Sequence, residues 1–275
     1  MPQAKEARTL AIALLASLVL WNLPFGGVVL YPFKVLATWL HEMSHGLAML
    51  ATGAGLDRVL IYRDTSGLAY AHTTAGGGAF GASLIATAGY MGTPLWGAAL
   101  LVSTPDARRA RVALLVYAAL LAVSLVVVDN GFGQQAVGAI AVALAACAMA
   151  LPARARVAVA HFVAAQACID ALLDIRVLFR TSQVINGHEL ACTETVKTGC
   201  SDAHNMASYT FGTTADWAVW TWAAIWLAWS LLVLFVALRW QARRARGAGG
   251  QRGQRADASK AVKNSGAARA SDAGA

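Results

Sequence analysis

The amino-acid sequence predicts an all-α polytopic membrane protein with about seven transmembrane helices and a small β-hairpin after the second. Three observations lead to this prediction. The 275 residues are 58% hydrophobic and only 13% charged, with a mean hydropathy of +0.55, which is too apolar for an ordinary soluble domain. Apolar segments follow one another almost without interruption over residues 10–240. The formal net charge of +8 is concentrated at the C-terminus, next to the last apolar segment.

The first two predicted spans cover residues 10–31 and 33–52. Pro24, which two glycines follow closely, is expected to kink or break the first of them. A cleaved signal peptide is the alternative, because Lys5 and Arg8 precede the apolar run. No A-x-A cleavage site ends that run, so a retained helix is favoured.

The segment after the second span predicts a β-hairpin at the membrane surface, because two apolar-rich runs, 56–63 and 68–72, flank turn residues. Small residues at Gly89 and Gly92 in the third span would let another helix approach closely, and Pro94 would bend it. A polar loop precedes the last span and is long enough to cover a site. The remaining spans are expected at 83–102, 112–128, 136–151, 157–179 and 216–240, and the loop at 181–214.

The most informative motif is His41-Glu42-Met43-Ser44-His45, an H-E-x-x-H pattern inside the second span. Positions i and i+4 share one face of a helix, so the imidazoles of His41 and His45 can bind one metal ion. Glu42 lies about 100° round the helix, where it can take a proton from water that the ion activates. An ionisable residue at bilayer depth costs about 2.5–3.5 kcal/mol on insertion scales, so a retained one usually has a function. The alternative is that these three side chains only satisfy one another in a bundle core.

A third ligand must come from elsewhere, because catalytic zinc takes three protein ligands and leaves one position for water. Asp174, near the end of the sixth span, is the first candidate. Asp170 and Asp202 are possible outer-shell residues or alternative ligands. Asp170 and Asp174 share a helix face, and two carboxylates within the membrane suggest an interior site. Two other interpretations stay open: Asp174 pairs with a nearby arginine, and Ser201-Asp202 forms a helix N-cap.

These residues predict hydrolysis of peptide bonds by metal-activated water, with Glu42 as the general base that returns its proton to the leaving nitrogen. Two other classes of function remain open. The first is an ion-transport or sensing membrane protein, in which polar groups in the bundle form a pathway. The second is a catalytically inactive protein that binds membrane segments. Glu42 discriminates between them, since neither a transporter nor a binder needs a general base there.

The chain resembles the site-2 protease family of intramembrane zinc metallopeptidases, in its B-like branch. The resemblance rests on the H-E-x-x-H motif in a membrane helix, the hairpin after it, and the segments 88–94 (A-G-Y-M-G-T-P), 173–175 (L-D-I) and 201–203 (S-D-A). It implies Zn²⁺ on His41, His45 and an aspartate, with Glu42 as the general base. It also implies a membrane-anchored protein substrate, an upstream protease that trims it first, and a bacterial inner membrane as the location.

The C-terminal segment is predicted to be separate from the membrane domain. Residues 1–240 form the membrane-embedded metallopeptidase domain, and 241–275 form a basic disordered tail. The tail follows a membrane helix and lacks interleaved aromatic residues, so it predicts an anchor near anionic lipid in the bilayer and no nucleic-acid partner. Cys192 and Cys200 in the polar loop would form a disulfide if the loop faces an oxidising compartment.

Overall fold

The computed structural model describes residues 12, 15–17, 19–179, 182–191 and 200–272; for 182, 189–191 and 245–272 it describes the backbone alone. Helices dominate, and two separate two-stranded antiparallel sheets accompany them. The helices are α1 (Gly26–Ala51), α2 (Ala79–Ser103), α3 (Ala107–Ser124), α4 (Gly131–Ala150), α5 (Ala153–Asp174), α6 (Asp202–Phe211) and α7 (Asp216–Asp272), with a 3-10 turn at Ile175–Phe179. The strands are β1 (Leu56–Ile61), β2 (Gly67–Ala71), β3 (Ser182–Ile185) and β4 (His188–Ala191).

The predicted break at Pro24 is present, but the helices on its two sides differ in length from the prediction. A helical segment at Leu15–Asn22 meets α1 at a bend of 119°. Helix α1 then begins at Gly26 and contains Pro32, so it takes in the end of the first predicted span. A proline removes one backbone donor, which a long apolar helix tolerates within a bundle.

Three of the described helices are long and apolar enough to cross a membrane: α2, α4 and the part of α7 at Asp216–Arg244. The count rises to four if Leu15–Asn22 and α1 form one bent span. Seven spans, as the sequence predicts, are therefore not confirmed. Helix α3 falls short because Arg108, Arg109 and Arg111 occupy its first turns, and α5 carries two arginines and a series of polar residues.

The predicted hairpin after α1 is confirmed as β1 and β2, which pair from Leu56–Ala71 to Ile61–Gly67. It is fixed to the segment between α3 and α4, because Val59 donates to the Val127 carbonyl (2.7 Å) and accepts from the amide of Asp129 (3.0 Å). The Asn130 side chain accepts from the Ile61 amide and donates to the Ile61 carbonyl, at 3.1 and 2.6 Å. These bonds hold the hairpin against the helix bundle, with α1 packed beneath both strands.

The region predicted as one polar loop contains a second hairpin, β3 and β4, and helix α6. Asn186 and Gly187 form the tight turn of this hairpin, with φ of 52° and 75°. An Asn-Gly pair is the residue choice of a type I′ turn, because both positions need positive φ. The Asn-Gly pair in the sequence therefore indicates this hairpin, although the polar residues around it favour a loop.

The backbone of the C-terminal segment continues α7 as a helix to Asp272, and the disordered tail expected at residues 241–275 stays a prediction. Alanine, arginine, lysine and glutamine are good helix formers, and extending an existing helix avoids the cost of nucleation. The boundary of the membrane domain at residue 240 stays a prediction, and the apolar part of this helix ends close to it, at Arg244.

Candidate metal centre

Two histidines of α1 and an aspartate of α6 meet at one point. His41 and His45 are one helical turn apart, and Asp202 Oδ2 lies 3.1 Å from the Nε2 atom of each. The two imidazole rings stand edge to face with their centroids 4.8 Å apart. Within the described part of the chain, these three residues form the group whose donor atoms could hold a metal ion.

His45 is held with one ring nitrogen facing this point. Its Nδ1 lies 2.6 Å from the carbonyl oxygen of Ile85 in α2. A carbonyl only accepts hydrogen bonds, so Nδ1 carries the hydrogen and Nε2 is left with a free lone pair. This is the usual arrangement for a histidine that binds a metal, because the second contact fixes both the tautomer and the ring orientation.

Asp202 is placed by the start of α6. Ser201 is the N-cap of this helix, its Oγ accepting from the His204 amide (3.4 Å) and lying 2.7 Å from His204 Nδ1. Burial acts to raise the pKa of the Asp202 carboxyl, but the neighbouring His45 and His41 outweigh it and lower the pKa. The carboxylate also lies in the first turn of α6, where the helix dipole favours a negative charge.

Helix α6 is itself fixed by a small apolar cluster. Its Ala203, Met206 and Ala207 are buried against the 3-10 turn and α7. Trp226 of α7 is fully buried in the same cluster. This packing explains how a side chain that lies 157 residues beyond His45 in the sequence reaches the motif helix.

Glu42 of α1 follows His41 directly in the sequence, faces the first hairpin and is 6% exposed. Strand β2 passes directly over it. A Cβ at Gly67 would stand 2.7 Å from Glu42 Cγ and 2.7 Å from Thr38 Cγ2, so any side chain there would force Glu42 or Thr38 to move. Thr38 fixes the approach, because its hydroxyl donates to the Thr65 carbonyl at 2.6 Å.

Helix α2 approaches the histidines just as closely. A Cβ at Gly89 would collide with Nε2 of both His41 and His45, and one at Gly92 would collide with Ser44. The prediction that these two glycines admit another helix is confirmed, and the helix is the one that carries the motif. A side chain at position 89 would fill the space in which the three donor atoms converge.

The sequence model of the Peptidase M50B-like family matches residues 10–237, which is most of the chain. The chain belongs to this family. The resemblance to site-2 proteases is thereby confirmed, and the chain is a membrane metallopeptidase in the general sense of its family. No curated protein and no solved structure matches it.

The two aspartates of α5 are not part of the converging group in this M50B-like fold. Asp174, the first candidate for the third ligand, lines the same cavity as the histidines but is not one of the three converging residues. It forms no ion pair with an arginine within the described residues. Asp170 is 3% exposed, and its Oδ2 has no hydrogen-bond partner among the described residues. The aspartate that the structure brings to the histidines is Asp202, which the sequence offers only as an alternative.

The M50B-like site opens into a cavity of about 980 Å³. One wall is formed by residues 64–69 of the first hairpin and another by residues 183–185 of the second. Ser201 and Cys200 lie beside Asp202 in the same lining. Cys200 is disulfide-bonded, whereas Cys147 and Cys168 are free. The predicted pairing partner, Cys192, lies outside the described residues.

Proposed function

We propose that this chain is an intramembrane zinc endopeptidase that hydrolyses peptide bonds in or near the transmembrane segments of membrane-anchored proteins. The observation that carries the proposal is the convergence of His41, His45 and Asp202 beside Glu42, in a cavity within a largely apolar bundle. Its proposed location is a bacterial inner membrane, which it crosses several times. An upstream protease would supply its trimmed substrates.

The three donor atoms fit zinc. Zinc in catalytic sites binds imidazole nitrogen and carboxylate oxygen at about 2.0–2.2 Å in a roughly tetrahedral arrangement, which places neighbouring ligand atoms about 3.4 Å apart. The nitrogen–oxygen separations of 3.1 Å are slightly below this value. Three protein ligands would leave one position on zinc for water, and Gly89 keeps side-chain atoms away from Nε2 of His41 and His45.

Each residue then has a separate task. His41, His45 and Asp202 would hold the ion. Bound zinc would polarise the carbonyl of the substrate and make water acidic enough to be deprotonated near neutral pH. Glu42 takes one proton as the water oxygen bonds to the carbonyl carbon. It delivers that proton to the amide nitrogen as the C–N bond breaks, which leaves a carboxylic acid and an amine.

The cavity also suggests how a substrate is held. A helical peptide bond is shielded by its own hydrogen bonds, so a membrane segment must unwind before it can be cut. Strand β2 pairs with β1 on one edge, and within the described residues no strand pairs with its other edge. Residues 67–69 of β2 line the cavity next to Glu42. An extended segment that added to this edge would lie beside the general base.

The substitution Glu42→Gln tests the proposal. It should abolish cleavage of a model membrane segment in detergent, because the amide cannot accept a proton, while the zinc content stays that of the wild type. Asp57→Asn is the matched control, since it makes the same acid-to-amide change in the first hairpin away from the cavity lining. Full cleavage by Glu42→Gln would contradict the mechanism. A wild type that binds zinc but cuts no membrane segment would favour the inactive binder.

A further inference from the structure

The ring of Tyr90 is clamped between the metal centre and the core. Its edge-to-face contact with His41 has a centroid distance of 4.8 Å and an interplanar angle of 89°. Its other contact is a parallel stack on Trp226, at 4.7 Å and 6°. A ring held on two sides in this way loses most of its freedom to rotate away from His41.

Trp226 is itself held in place by its contacts. It is fully buried in the cluster that fixes α6, and its Nε1 donates to Thr87 Oγ1 at 2.7 Å. Thr87 lies one turn before Tyr90 on α2. The stack is therefore tied back to the helix that carries Tyr90, so the phenol group has one fixed position relative to His41.

The hydroxyl group of Tyr90 has no hydrogen-bond partner within the described part of the chain, although the residue lines the cavity of the metal centre. Tyr90 lines this cavity together with the carboxylate residues Glu42, Asp174 and Asp202. Two other tyrosines satisfy their hydroxyls internally: Tyr31 donates to Arg63 O at 2.8 Å and Tyr117 to Trp96 O at 2.6 Å. Buried phenols usually find such a partner.

We propose that Tyr90 is a further catalytic residue, whose hydroxyl donates a hydrogen bond to the substrate carbonyl oxygen as that oxygen becomes negative. This inference rests on the proposed function. A phenol is an O–H donor at neutral pH, and a preorganised donor aimed at developing charge is among the strongest aids to amide hydrolysis. Tyr90 keeps its proton throughout: the carbonyl electron pair moves to oxygen as water adds, and returns when the C–N bond breaks.

Tyr90→Phe tests the hydroxyl alone, because the phenylalanine ring preserves the contacts with His41 and Trp226. The assay uses a quenched fluorescent peptide with an apolar segment flanked by lysines, in detergent. We expect kcat to fall by about 10²–10³-fold, the usual loss for one such donor, with KM and zinc content unchanged. Tyr117→Phe is the matched control, since it removes a phenol that already has a partner in the protein.

A second readout does not depend on turnover. A phosphinate version of the same peptide carries a tetrahedral anionic group that resembles the transition state, so its affinity should fall with kcat in Tyr90→Phe. The affinity of the uncleaved peptide, measured in the Glu42→Gln background, should not change. A purely structural role of Tyr90 would lower zinc content or weaken both ligands alike.

The outcomes separate this inference from the proposed function. Wild-type kcat and phosphinate affinity in Tyr90→Phe would overturn the role of Tyr90 while the zinc peptidase stands. Loss of zinc in Tyr90→Phe, parallel to the loss of activity, would overturn it as well. If the wild type and Tyr117→Phe neither cut the peptide nor bind the phosphinate, the proposed function is overturned, and the role of Tyr90 with it.

Discussion

Each residue of the candidate metal centre is oriented by a contact of its own. His45 donates to the Ile85 carbonyl, His41 packs edge to face with Tyr90, and Asp202 follows the Ser201 cap of α6. Such outer contacts typically contribute about 10–100-fold to metal affinity, because they fix the ligands before the ion arrives. The candidate site therefore depends on α2, which supplies the contacts of both histidines, as well as on the three converging residues.

Gly89→Ala tests this dependence at a single atom. The added Cβ would collide with Nε2 of His41 and His45, so the imidazoles must move and zinc affinity should fall by at least about 10-fold. Competition with a zinc chelator measures the change. Gly138→Ala in α4 is the control, because its added Cβ would meet only Leu125 Cδ1 at 3.9 Å, an ordinary contact. Equal zinc affinity in the two variants would contradict the close approach of α2.

The turns of the two hairpins contact each other beside the cavity that both line. Gly187 donates its amide to Asp64 Oδ2 at 2.7 Å, and the Asn186 amide donates to Ser66 Oγ at 3.2 Å. Ser66 is held in place by Asp64 Oδ1, which accepts from both its amide and its hydroxyl. The Asp64 carboxylate therefore connects two elements that are 123 residues apart.

Asp64→Ala should loosen the second hairpin. We expect hydrogen exchange at the amides of Asn186 and Gly187 to accelerate by about fivefold, as for the loss of one exposed hydrogen bond worth about 1 kcal/mol. The matched control is Asp57→Ala, which removes a carboxylate from the far end of the first hairpin. Unchanged hydrogen-exchange rates of the Asn186 and Gly187 amides in Asp64→Ala would show that the contact between the turns does not stabilise the second hairpin.

The same contact has a defined pH dependence. Burial alone would raise the pKa of Asp64, but hydrogen bonds from Ser66 and Gly187 outweigh it and hold the pKa below the ordinary value of 3.8. A carboxyl with a lowered folded pKa stabilises the folded state above its unfolded pKa and loses this contribution as pH falls through the folded value. Exchange corrected for its intrinsic rate should thus stay constant from pH 7 to 5 and rise only below 3.8.

At the scale of the whole molecule, the candidate metal centre lies between two apolar clusters. His41 and His45 belong to α1, which packs into the larger cluster with α3, α4 and the first hairpin. Asp202 begins α6, which packs into the smaller cluster with α7 and the 3-10 turn. An ion bound by all three would tie these clusters together, because its ligands come from both.

The sequence predicts the local part of this site and not the distant part. The two histidines and Glu42 lie within five residues, so helix periodicity alone places them. The position of Asp202 depends on how α6 packs against α7 and α2, which no spacing in the chain records. Asp174 is the first candidate from the sequence because it lies in an apolar helix, whereas Ser201-Asp202 resembles an ordinary N-cap sequence. In the structure Ser201 is the cap, and Asp202 is left free to face the histidines.

For the helices and hairpins as well, the features that depend on a short stretch of sequence are predicted, and those that depend on a whole helix are not. The first hairpin and the close approach at Gly89 are predicted from short sequence patterns and are present. The count of seven spans is not confirmed, because arginines in helices such as α3 leave them too polar for a clear span, and the disordered tail after residue 240 stays a prediction. Both depend on the balance of polar and apolar residues over a whole helix.

Zinc analysis of the purified protein tests the central claim most directly. Metal content and X-ray absorption are measured for the wild type, Asp202→Ala and Asp174→Ala, prepared in parallel. We expect one zinc per chain with two imidazole ligands and a carboxylate, loss of that zinc in Asp202→Ala, and its full retention in Asp174→Ala. Full zinc in Asp202→Ala, or its loss in Asp174→Ala alone, would contradict the ligand set of His41, His45 and Asp202.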